Sequence, residues 1–225
     1  MTGQAMSTDA VIFDLDGVLI DSEPVWSEVR RAFVEVHGGR WAGDAQERMM
    51  GMATAEWAAF VHDELQVPLP ADDIAAGVVD AMVARFGREP PLLPGAIEAV
   101  HRLARRWPLG LASSSPSRLI DVVLVATGLA SLFAAVLSTE EVGRGKPAPD
   151  VYLAVAQRLG VRPGSCAAVE DSTNGLRAAR AAAMRVIAVP TRSYPPDPDE
   201  LARADAVLAS LDELTEAVVD PLGSP

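Results

Sequence analysis

The sequence predicts an α/β protein: a Rossmann-like parallel sheet core with an inserted all-helical cap domain. Three observations predict it. From residue 97 onward, short apolar runs alternate with helix-length segments, the pattern of βαβ units whose sheet is covered on both faces. One further apolar run, Ala10-Val11-Ile12-Phe13, stands alone near the start and leads into Asp14 and Gly17. Between the two, residues 24–89 contain no convincing strand.

Taken in order, Val25, Val29, Ala32, Phe33 and Val36 recur at helical spacing after the first strand. Residues 55–65 and 72–86 do likewise, and Asp72 or Asp73 is a plausible N-cap. Pro90-Pro91-Leu92-Leu93-Pro94-Gly95 is stiff punctuation that marks a boundary. The expected division is a core of residues 1–22 and 91–225 with a cap over 23–90. Beyond it the pattern predicts helix 97–106, strand 109–112, helix 119–126, strand 135–137, helix 150–159, strand 166–169, helix 176–183, strand 186–189 and a weak strand 206–208. Residues 194–199, rich in Pro and Asp, predict a loop.

At 225 residues the chain can bury about 70% of its surface, so a core forms without disulfides. Thirty-one acids against 19 bases give a formal charge of −12, which argues against nucleic acid and anionic lipid as partners but leaves small anionic substrates open. The single cysteine, Cys166, lies within an apolar strand and excludes a Cys-based zinc site. Residues 122–139 carry no charge, but Gly128 and Ser131 interrupt them and the flanks are acidic, which predicts a buried helix, turn and strand rather than a membrane span. With the first Lys or Arg at Arg30, no secretory signal is expected; the expectation is a cytoplasmic monomer.

In open parallel sheets the site lies beyond the carboxyl ends of the strands. The first strand delivers Asp14 and Asp16 there, and the second delivers Ser113, Ser114 and Ser115. Lys146 follows the third, and Glu170 and Asp171 end the fourth. Singly, an acid after a strand is an ordinary helix cap and a serine run an ordinary turn. Together, at corresponding ends, they argue for a site. Clustered carboxylates need a cation, and all-oxygen ligation with phosphate nearby suits Mg²⁺. Lys146 is a point charge for a phosphate, and Ser113, Ser114 and backbone N–H groups supply donors. Asp14 is placed to attack phosphorus, and Asp16 to protonate the leaving oxygen and then activate water. A small phosphorylated metabolite is the expected partner.

The run from Phe13 to Glu23, with Asp14-Leu15-Asp16-Gly17 at its heart, resembles the first motif of the haloacid dehalogenase-like superfamily. Ser113 after an apolar strand, Gly145-Lys146-Pro147-Ala148-Pro149-Asp150 and the run from Val169 to Gly175 match its second, third and fourth motifs in order. The resemblance covers essentially the whole chain and is nearest to the β-phosphoglucomutase-like and sugar-phosphate phosphatase branch, with a helical cap after the first motif. It implies that Asp14 is nucleophile and Mg²⁺ ligand, that Asp16 is acid/base and ligates through its carbonyl, and that Asp171 is a further ligand. It also implies that Glu170 ligates directly or through water and that Ser113 and Lys146 hold phosphate.

Other readings fare worse. Gly143-Arg144-Gly145-Lys146 fails as a P-loop, with Pro147 where Ser or Thr belongs and Glu140 where Gly belongs, and no G-x-G-x-x-G follows the first strand. His37, His62 and His101 are scattered and suggest packing or surface roles; Glu140 and Glu141 suggest a solvated loop, and Arg102, Arg105 and Arg106 an exposed helix end. Trp26, Met49, Met50, Met52 and Trp57 suggest cap core, some facing the substrate. A phospho-receiver would lack the helical insert. A dehalogenase of this superfamily would lack Asp16, since a halide needs no proton. A mutase is the leading alternative. The mutases resembled carry a His and an Arg where this chain has Trp26 and, after Gly51, Thr54. Arg48 would have to turn inward, and Arg30 and Arg31 are expected to sit farther along the first cap helix.

Overall fold

The strands form because their apolar runs lose water on both faces at once. In the computed structural model, which describes residues 7–49, 52–191 and 195–221, every residue of β1 (Ala10–Phe13) is buried. Met50 and Gly51, named above, and position 194 of the expected loop lie outside the described residues. After β1 come α1 (Glu23–Val36), α2 (Ala45–Met49), α3 (Thr54–Asp63) and α4 (Ala71–Arg88). Then follow α5 (Ala96–Ala104), β2 (Leu109–Ser113), α6 (Ser117–Ala126), β3 (Phe133–Ser138) and α7 (Asp150–Leu159). The chain continues with β4 (Cys166–Glu170), α8 (Thr173–Ala181), β5 (Arg185–Ala188), α9 (Pro198–Leu201), β6 (Ala206–Val207) and α10 (Glu216–Val219).

The six strands form one sheet in the order β3-β2-β1-β4-β5-β6, with every neighbouring pair parallel. Successive side chains point to opposite faces. Val11 and Phe13 join a core shared with α5, α6 and the helices between β1 and β2, whereas Ala10 and Ile12 join a second core under α7 and α8. Phe13 is fully buried, and its truncation to Ala would cost about 3–5 kcal/mol. Phe13 is in register with Leu111 of β2 and Val169 of β4, so the carboxyl ends of all three strands meet at one edge. The chain winds outward through β2 and β3 and then returns to the other side of β1 at β4. That reversal opens the crevice in which such sheets bind ligands.

The helical block of α1–α4 leaves and re-enters the core through two adjacent passages. Asp21 N–H donates to the Pro91 carbonyl at 2.8 Å, and Leu93 N–H to the Leu19 carbonyl at 2.9 Å. Within the block α4 packs on α1 and α3, and it also reaches α6 of the core. Its N-terminus differs from expectation. Pro70 occupies the cap position, so Asp72 and Asp73 lie inside the first turn, where they complement the helix dipole without capping it.

Residues 122–139 divide into the end of α6, a left-handed Gly128, a short 3-10 turn and β3. Among the described residues no helix is long and apolar enough to cross a membrane. The arginines after β1 and before β2 are more engaged than an exposed helix end would be. Arg102 donates to the carbonyls of Leu211 and Leu214, and Arg106 pairs with Glu216 and Asp220, which ties the last segment to α5.

Candidate active site

Asp14 sits one residue past β1, and its backbone N–H still extends the ladder by donating to the Val169 carbonyl at 3.0 Å. The chain then turns sharply, with Gly17 N–H donating to the Ile20 carbonyl at 2.8 Å. Gly17 is required twice over. Its φ is +77°, and a Cβ there would overlap the Asp171 carboxylate.

Lys146 is threaded under this turn with its side chain almost fully buried. Its Nζ donates to Asp14 Oδ1 at 2.8 Å, Glu170 Oε1 at 2.6 Å and the Ala112 carbonyl at 3.0 Å, which occupies all three of its N–H groups. Glu170, fully buried, is saturated as well. Its Oε1 also accepts from the Tyr152 hydroxyl at 2.6 Å, and its Oε2 accepts from Ser172 Oγ at 3.2 Å and from the N–H groups of Asp171 and Ser172.

Carboxylate oxygens of Asp14, Glu170 and Asp171 lie within 4.8 Å of one another. Three acids thus face one ammonium. Burial pushes the Asp14 carboxyl up to about 8; Lys146 opposes the rise, and Glu170 and Asp16 add to it. Burial, then Glu170, then Asp14 hold Asp171 well above the usual carboxylate range. Burial alone would lower Lys146, but Asp14 and Glu170 together raise it above its ordinary value. A hard divalent cation fits this set: it offsets the excess negative charge and takes oxygen ligands. Asp14 and Asp171 have oxygens to offer it, whereas those of Glu170 are already engaged.

Asp16 stands apart from that cluster. Its Oδ1 accepts from Ser22 Oγ at 2.6 Å, and its Oδ2 accepts from Ser113 Oγ at 3.1 Å and Ser115 Oγ at 2.8 Å. Three hydroxyls therefore hold this carboxylate, two residues from Asp14 and outside the group of Asp14, Glu170 and Asp171. Ser113 is fully buried and its hydroxyl serves Asp16, while Ser114 and Ser115 line the cavity in front.

That cavity, of about 710 Å³, opens between the carboxyl edge of the sheet and the helical block. Asp14, Asp16, Lys146 and Asp171 line it from the sheet, and Trp26, Met49, Met52, Thr54 and Trp57 from the block. Arg30 lines it too, contrary to its expected place farther along the helix. It lies one turn after Trp26, on the same face of α1, so the i, i+4 spacing held the signal. Arg31 pairs with Glu35 at the surface, and Arg48 turns outward to Glu64 at 3.5 Å. Tyr152 carried no sequence signal beyond an apolar position of its helix. Ser22 and Ser115 lay within runs already singled out.

Residues 8–183 match the family model described as a haloacid dehalogenase-like hydrolase. Hexitol phosphatase B of Escherichia coli (strain K12) is 36% identical over 212 residues, covering 92% of this chain and 94% of that protein. The fructose-1-phosphate phosphatase of the same strain is 31% identical, covering 80% of this chain and 95% of its own. Among solved structures, CbbY from Rhodobacter sphaeroides in complex with phosphate superposes with a TM-score of 0.84 at 28% identity, covering 94% and 99% of the two chains.

Fold and site thus define an enzyme, a hydrolase of phosphate monoesters. The chain belongs to the haloacid dehalogenase-like hydrolase family.

Proposed function

We propose that this protein is a Mg²⁺-dependent phosphatase that hydrolyses a small sugar or polyol phosphate through an aspartyl phosphate on Asp14. The observation that carries this reading is the separation of two carboxylates: Asp14 in the metal-binding cluster beside Lys146, and Asp16 on three serine hydroxyls a turn away. Two neighbouring acids in different surroundings are suited to two different roles.

Asp14 Oδ attacks phosphorus, and the bond from phosphorus to the ester oxygen breaks. Asp16, which takes up a proton from solvent before this step and enters it as the carboxylic acid, gives that proton to the ester oxygen, and the alcohol leaves. Asp16, now a base, takes a proton from water as the water attacks the aspartyl phosphate; the Asp14–phosphorus bond breaks and phosphate departs. Lys146 offsets the repulsion between Asp14 and the phosphoryl oxygens, and Ser114 supplies donors at the mouth, while both donors of Ser115 are spent on Asp16 and Ser113. Mg²⁺ would be held by the carboxylates of Asp14 and Asp171 and the carbonyl of Asp16, and would supply charge neutralisation for the phosphoryl group. Glu170, whose oxygens are already engaged, orients Lys146 and the start of α8 and would reach the ion through water. Residues 23–90 form the cap over a core of 1–22 and 91–225. The relatives' named substrates, a hexitol phosphate and fructose 1-phosphate, support a sugar-like ester.

The same proposal has the enzyme working in the cytoplasm as a monomer, without nucleic acid or membrane partners, which the charge of −12 supports. The test is release of free phosphate from a panel of phosphate esters with Mg²⁺ and with EDTA. Metal-dependent release that favours sugar or polyol esters is expected; release that persists in EDTA would overturn the metal's role, and none from any ester would overturn the function.

A further inference from the structure

Arg30 is the cation that the chemistry at the sheet edge leaves unused. It is buried, lines the cavity, and packs on two neighbouring indoles, with its guanidinium 4.5 Å from the Trp26 ring and 4.8 Å from the Trp57 ring and the two rings 6.1 Å apart. The indoles attract the cation through their ring faces and hold it in place, while its N–H groups remain the donors it can offer. Of its five N–H donors, one is used among the described residues: Nη1 donates to Gln46 Oε1 at 3.3 Å. Its Nε is buried without a partner. Gln46, buried in turn, passes the interaction on, with Nε2 donating to Glu23 Oε2 at 2.8 Å.

A buried guanidinium whose Nε has no partner is costly unless something else satisfies it. The surroundings tell against an anion. Glu23 is coupled to Arg30 through Gln46, and Asp21, Glu23 and Glu47 all line the same cavity, with Arg30 as the cation of the helical block among its lining residues. A second phosphate or a carboxylate would meet three acids and one base. Hydroxyl groups both donate and accept, which matches a row running from donor (Arg30) through amide (Gln46) to acceptor (Glu23).

We propose that Arg30, Gln46 and Glu23, framed by Trp26 and Trp57, form the specificity subsite that binds the uncharged, hydroxyl-bearing tail of the phosphate ester. This rests on the phosphatase reading. The experiment compares kcat/KM for sorbitol 6-phosphate, hexyl phosphate (similar length, no hydroxyls), 6-phosphogluconate (a terminal carboxylate) and fructose 1,6-bisphosphate, in the wild type and in Arg30→Met and Gln46→Leu. The wild type should prefer sorbitol 6-phosphate over each of the other three by about tenfold or more, as a site built to hydrogen-bond hydroxyls does. In both variants the preference over hexyl phosphate should fall by about tenfold, mainly through a higher KM for the polyol ester. Wild-type preference for the carboxylate or the bisphosphate would show that Arg30 binds an anion and overturn the inference alone. An equal loss on all four esters in folded variants would reduce Arg30 and Gln46 to packing and overturn it likewise. Turnover of no ester by the wild type would instead overturn the phosphatase reading, and this inference with it.

Discussion

The Cα of Gly175 lies against the carboxyl group of Glu170, so closely that a Cβ on Gly175 would overlap the whole carboxylate. Gly175 is in the first turn of α8, where Ser172 caps the helix by accepting from its N–H at 3.1 Å. Bare backbone there lets a fully buried acid sit between Lys146, Tyr152 and the helix start.

Gly175→Ala should therefore push Glu170 off Lys146 and leave Asp14 with a misplaced partner. We expect kcat to drop by about 10- to 100-fold, since an ångström of misplacement costs that order, while the far-ultraviolet dichroism stays native. Gly164→Ala, whose new methyl would meet only ordinary contact at 3.7 Å, is the matched control. Equal activity of the two variants would refute the supporting role of Glu170.

Asp14→Asn keeps the shape of the proposed nucleophile and removes its charge. Loss of turnover by about a thousandfold or more is expected. The fold should survive, because Lys146 retains Glu170 and a carboxyl pushed up by burial is no longer forced to ionise. Measuring phosphate release beside the melting temperature in EDTA separates the two effects. A variant that keeps several per cent of the activity would move the nucleophile elsewhere.

The metal-free protein should lose stability as the pH rises. Folding raises the Asp14 carboxyl from 3.8 to about 8 and Asp171 in the same direction, so the folded state binds these protons more tightly than the unfolded one. Their contribution is fully present below the unfolded value and is lost as the pH climbs through the folded value. The melting temperature in EDTA should fall between about pH 5 and about pH 8, and Mg²⁺ affinity should rise about tenfold per pH unit for each proton it displaces. A melting-temperature gain from Mg²⁺ that is the same at both ends of the range would contradict this.

With Asp16→Asn the base for the second step is gone while Asp14 keeps its attack. A substrate with a good leaving group needs little protonation, so p-nitrophenyl phosphate should still transfer its phosphoryl group. Intact mass after rapid quench should show the aspartyl phosphate accumulating, and normal steady turnover would exclude the role.

Much of this was legible in the chain because it is local. The apolar runs specify the strands, and the parallel order then places Asp14, Ser113 and Glu170 at one edge without any distance being known. What was not legible is what side chains choose among several partners. Ser113 follows a strand as expected, yet its hydroxyl serves Asp16. Arg30 was expected farther along the first helix of the block; its spacing from Trp26 put both on one face, but nothing in one helix reveals that Trp57, from another, will pack against it. Glu23 and Gln46, 23 residues apart, meet only once α1 and α2 have packed. Pairings of this kind depend on tertiary packing, which residue periodicity does not encode.

The fate of the phosphoryl group separates hydrolysis from a mutase. A mutase must hold a bisphosphate by its distal end while Asp14 is re-phosphorylated, which demands a second cationic grip in the helical block. Arg48 is not available for it: its guanidinium lies over Phe60 at 4.4 Å and pairs with Glu64. Thr54 and Trp26, standing where the mutases resembled carry Arg and His, line the cavity but bring no charge. Arg30 faces the cavity, yet its charge is shared through Gln46 with Glu23, and Asp21 and Glu47 stand nearby. A distal phosphate there would be repelled, and nothing of that charge opposes the entry of water. β-Glucose 1-phosphate, if turned over, should therefore give glucose and free phosphate in equal amounts. Glucose 6-phosphate should not accumulate even with added glucose 1,6-bisphosphate. The assay couples glucose-6-phosphate dehydrogenase to one sample and phosphate detection to its duplicate. Bisphosphate-stimulated formation of glucose 6-phosphate, with little phosphate released, would replace the phosphatase by a mutase and assign the second grip to Arg30.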